Sequence, residues 1–92
     1  TSVVFEIANS LMDKLHDNLN NDSTEIIDQL SENINIIISE SWEHFTENDD
    51  LDDDCDELKD RVEHISLLKS KDYNGLSNKT VFQFMDIIEN IN

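Results

Sequence analysis

The sequence predicts an all-α fold, a small antiparallel four-helix bundle. Three observations predict it. The 92 residues contain no proline and one glycine, Gly75. Apolar residues recur at three- and four-residue steps through most of the chain. Turn-forming clusters fall at only a few places, so helices are long and connections short. A chain of this length makes one domain, and it buries a smaller share of its surface than a larger domain does.

In the first segment, Val4, Ile7, Ala8, Leu11, Leu15 and Leu19 form one helical stripe. Ser2 is placed to cap its start, and Asn20, Asn21 and Asp22 end it. In the second, Asp22 and Glu25 have capping-box spacing. Its stripe is Ile27, Leu30, Ile34, Ile37 or Ile38, Ser41 and Phe45, with Trp42 beside it. Ile34, Ile36 and Ile38 also alternate as a strand would, and β-branched residues favour sheets. The helical period continues on both sides of that run without a turn residue, so helix is the prediction.

The third segment carries a narrow seam of Leu51, Cys55, Leu58, Val62, Ile65 and Leu68 on an otherwise charged helix. Asp50 is placed to cap it. Asp52, Asp53 and Asp54 near its start, and Lys69 and Lys71 near its end, suit the helix dipole. Gly75 is expected to end this helix with a positive φ. Ser77 or Asn78 then caps a fourth helix, with Val81, Phe84, Met85, Ile88 and Ile91 on one face.

The formal charge is −16, and it is uneven. Residues 1 to 46 hold nine acids and one base, for −8. Residues 47 to 63 hold ten acids and two bases, again −8. Residues 64 to 92 hold three of each, for zero. The acidic surface is expected to centre on Asp49, Asp50, Asp52, Asp53, Asp54, Asp56, Glu57 and Asp60. A field of this sign opposes direct binding to nucleic acid or to anionic membrane. It favours a basic protein, or one that presents an apolar helix.

Asp52 to Glu63 places acids at positions one, three, five, nine and twelve of an EF-hand loop. The pattern fails at position six, where the sharp turn needs glycine and the chain has Glu57. The helical seam also runs straight through the segment, so no cofactor or metal is expected. His16, His44 and His64 are scattered along the chain. Cys55 and His64 lie on opposite sides of one helix, which rules out a local cysteine–histidine dyad. No histidine or cysteine pair has zinc-ligand spacing. There is no glycine-rich phosphate loop, and a non-enzymatic role is expected. One cysteine excludes an internal disulfide. No signal peptide or spanning apolar run is evident, so the expected location is intracellular, in cytoplasm or nucleus. Two glycosylation sequons, at Asn21 and Asn78, are chance matches in an Asn-rich chain. Thr1 in place of an initiator Met, and a helical pattern running to Asn92, lead us to expect residues 1 to 92 to be a domain excised from a larger protein.

Large apolar residues remain after the stripes are filled. Val3, Phe5 and Met12 lie beside the first stripe, Ile26 and Ile36 flank the second, and Phe82 and Ile87 flank the fourth. Surplus apolar side chains suggest a second packing surface. The candidate partner-binding residues are therefore Phe5, Met12, Ile36, Trp42, Phe45, Phe82 and Ile87, for a partner's helix or for a homodimer. The alternative function is an acidic inhibitor that mimics nucleic acid and occupies a basic protein cleft.

Overall fold

The computed structural model describes residues 3–47 and 49–91. They form a four-helix bundle: α1 (Val3–Asp17), α2 (Glu25–Glu47), α3 (Asp52–Ser66) and α4 (Asn78–Ile91). No strand occurs among the described residues, so the isoleucine run is helical. Single 3₁₀ turns, Asp49–Leu51 and Ser70–Asp72, sit in the last two connections. Ser2 and Asn92 lie outside the described residues.

Side-chain contacts fix the helix directions. Phe5 at the start of α1 meets Phe45 at the end of α2, with ring centroids 5.2 Å apart and planes at 82°, so these helices are antiparallel. Asp28 of α2 accepts hydrogen bonds from Ser77 and from Thr80 at the start of α4. Further along, Asn35 donates to Gln83 at 3.1 Å, so α2 and α4 run parallel. The close-packed neighbours are α1 with α2, α2 with α4, and α4 with α3. The bundle is antiparallel within each helical hairpin and parallel where the hairpins meet.

The core holds Phe5, Ala8, Met12, Leu15 and Leu19 from the first helix and its turn. Ile27, Ile34, Ile38 and Phe45 come from α2, and Leu58, Val62 and Ile65 from α3, with Leu51 and Cys55 above them. Val81, Phe84, Ile87 and Ile91 come from α4, and Leu76 from just before it. Burying a large apolar side chain contributes roughly 1.5–3 kcal/mol each, so these residues supply the main driving force.

The stripe of α1 is rotated from the expected one. Val4 and Ile7 are exposed, and Phe5 and Met12 turn inward. The two sets are adjacent on the helix, and the edge contact between Phe5 and Phe45 selects the inward one. In α4, Ile87 and Thr80 are buried and Met85 is exposed. Thr80 tolerates burial because its hydroxyl donates to Asp28 at 2.7 Å.

Three predicted termini differ as well. The cap position of α3 falls on Leu51, not Asp50, and makes no side-chain cap bond. At α2, the Ser23 hydroxyl accepts from the Glu25 amide at 3.2 Å, so Asp22 is not the cap. The third helix stops at Ser66, which leaves Lys69 and Lys71 beyond it. Gly75 has no positive φ. It is needed for close approach: its amide donates to Leu19 O at 2.8 Å. A Cβ there would collide with Asn18 O and meet Asn21 N at 3.1 Å. At α4 the expected capping holds, with the Ser77 hydroxyl accepting from the Thr80 amide at 3.2 Å.

Candidate functional site

Two surfaces stand out, an exposed pair of apolar residues on α4 and a groove between α1 and α3. On α4, the core positions Thr80, Val81, Phe84, Ile87 and Ile91 fix which side of the helix faces inward. Counting at 100° per residue, Phe82 projects directly away from that side, with Met85 next to it. Phe82 is 62% exposed and Met85 44%. Both lie in the part of the chain whose net charge is zero.

The sequence-predicted anchors divide. Phe5, Met12, Phe45 and Ile87 are core residues, each at most 5% exposed, and offer no surface to a partner. Trp42 is half-buried and packs edge-on against Phe45, with centroids 6.4 Å apart. Ile36 and Phe82 are exposed. Ile36 stands alone among polar neighbours on the outer face of α2, whereas Phe82 has Met85 one turn away. Val3, Val4 and Ile7 form a further exposed apolar edge at the start of α1.

The groove arises because α1 and α3 pack less closely than the other neighbouring helices. Arg61 of α3 spans the gap and donates to Asn9 at 3.0 Å and to Asp13 at 2.6 Å. Beside that bridge lies a groove of about 400 Å³. Met12 and Ile65 form its floor, and His16, Glu57, Asp60 and His64 line it with Arg61. On α3, positions 57, 60, 61 and 64 fall on one flank, by i, i+3, i+4 and i+7 spacing. His16 comes from α1, so no inspection of α3 alone would add it.

The acidic residues Asp49, Asp50, Asp52, Asp53, Asp54, Asp56, Glu57 and Asp60 are all exposed. Asp52 to Glu63 is helix, which is incompatible with an EF-hand loop. Among the described residues, no group of three His, Cys, Asp or Glu side chains is arranged to hold a metal ion. Cys55 is buried on the seam. Burial, and behind it the carboxylates of Asp52, Asp56 and Asp54, push its thiol up from the ordinary cysteine value. That is the wrong direction for a nucleophile. No described helix is long and apolar enough to cross a membrane.

The class this fold and these surfaces define is a small acidic helical bundle. No family model, curated protein or solved structure matches the chain.

Proposed function

We propose that this domain is a non-enzymatic helical interaction module of an intracellular protein, which associates through the outer face of α4. The observation that carries this reading is the exposed Phe82 and Met85 pair on the one stretch, residues 64 to 92, whose acids and bases balance in a protein of charge −16. Exposed aromatic side chains favour association. Elsewhere on the surface, like charges oppose contact between copies.

The mechanism divides the work between α4 and the acidic residues that precede it. Phe82 supplies apolar area, and its burial contributes up to about 1.5–3 kcal/mol before association costs. The acidic field repels nucleic acid and steers basic partners. Light scattering after size-exclusion chromatography tests the reading. Self-association through α4 should strengthen with added salt, because salt screens repulsion between copies. The Phe82→Ser variant should keep its helical circular dichroism and lose that association. Association unchanged in Phe82→Ser would remove α4 as the docking face.

An acidic nucleic-acid mimic is the second reading, favoured by the row of exposed carboxylates on α3. Salt separates the two. A mimic's complex with a basic protein weakens steeply as salt rises.

A further inference from the structure

We propose that the groove between α1 and α3 is a second docking site, and that it takes a lysine or arginine side chain from a basic amphipathic helix of a partner protein. The inference deepens the interaction reading and rests on it, while using a different face of the molecule.

The first support is shape. The groove, about 400 Å³, is bounded by the flank of α3 and by the end of α1. Its size falls in the range of side-chain and small-ligand pockets. The buried Met12 and Ile65 floor it, and His16 and His64 are among the residues that line it. Such a slot suits a side chain that is apolar along its stem and charged at its tip, the property that separates lysine and arginine from other residues.

The second support is charge. Glu57 and Asp60 both line the groove, one helical turn apart on α3. Arg61, the one arginine or lysine among the lining residues, is engaged by Asp13 and Asn9 across the gap. Among the described residues neither Glu57 nor Asp60 is in an ion pair with a lysine or arginine, and both belong to the segment, residues 47 to 63, with a net charge of −8. An incoming ammonium or guanidinium group would meet both carboxylates while its methylenes lie on the floor. A neutral or acidic helix has no comparable gain.

The probe is a short amphipathic peptide of leucine and lysine, titrated into the intact domain at physiological ionic strength. Affinity is read by fluorescence anisotropy and location by NMR. The expected result is perturbation of the Met12 methyl and of the His16 and His64 ring signals. Glu57→Gln with Asp60→Asn should lower affinity about tenfold or more. Asp56→Asn with Glu63→Gln removes the same charge from the other flank of α3, and should lower it no more than about twofold. Equal losses in the two double variants would reduce the effect to a diffuse acidic field and overturn the inference. Perturbations confined to Phe82 and Met85 would also overturn it, while leaving the interaction reading intact. No peptide binding, together with a monomer at every salt concentration, would end both.

Discussion

Cys55 shows how one position can be settled by its surroundings. The thiol lies on the apolar seam of α3, while the residues on both sides of it are aspartates. Burial and three carboxylates hold it protonated. The folded protein therefore keeps the thiol proton more tightly than the unfolded chain does. With the folded value raised, the resulting stabilisation is complete below the unfolded-state value and is lost as pH rises through the folded one. Thiol titration with a disulfide reagent at mildly alkaline pH should be slow in the native domain and fast in denaturant. Rapid native labelling would contradict the burial. Gly75 shows a different kind of constraint, since it is required by the backbone of the first turn packed against it and not by its own dihedral angles.

At the scale of elements, the seam between α2 and α4 is the most consequential contact. The Asp28 carboxylate accepts from Ser77 at 2.6 Å and from Thr80 at 2.7 Å, and the Ser77 hydroxyl also caps α4. Asp28→Ala should cost about 1–3 kcal/mol in urea denaturation, because the buried Thr80 hydroxyl loses its acceptor. Glu32→Ala removes only the exposed partner of Lys79 and should cost at most about 1 kcal/mol. Comparable losses in the two would mean that the seam contributes no more than a surface pair. The helices themselves were legible in the sequence to different degrees. In α3, charged residues occupy almost every position off the seam, so one inward phase was available and it is the observed one. In α1 and α4, apolar residues fill two adjacent phases, and only packing between helices chooses Phe5 over Val4 and Ile87 over Met85. The groove was illegible for a related reason. His16 and His64 come from helices far apart in the chain, and nothing in the sequence analysis brought them together with Glu57, Asp60 and Arg61. Phe82 was legible because it falls outside either inward phase of α4.

The whole molecule carries its charge in a body 39 × 22 × 19 Å across. At low salt, near 0.01 M, the Debye length is about 30 Å, so charges at opposite ends repel; near 0.15 M it is about 8 Å. The melting temperature should therefore rise with sodium chloride over that range. A gain of about 1 kcal/mol corresponds to roughly 4–8 °C for a domain of this size. A flat profile would mean that local ion pairs already balance the charge, although only two such pairs occur among the described residues. The parallel pairing of α2 with α4 has a kinetic consequence. Each hairpin can zip from its own short connection, but the two meet through partners far apart in the chain, 48 residues between Asn35 and Gln83 and 52 between Asp28 and Thr80. Closing so long a loop is the entropically expensive step. Helix formation is therefore expected to precede the polar registration of α2 on α4, and quenched hydrogen exchange during refolding should protect the helical amides before the Thr80 hydroxyl-bonded seam closes.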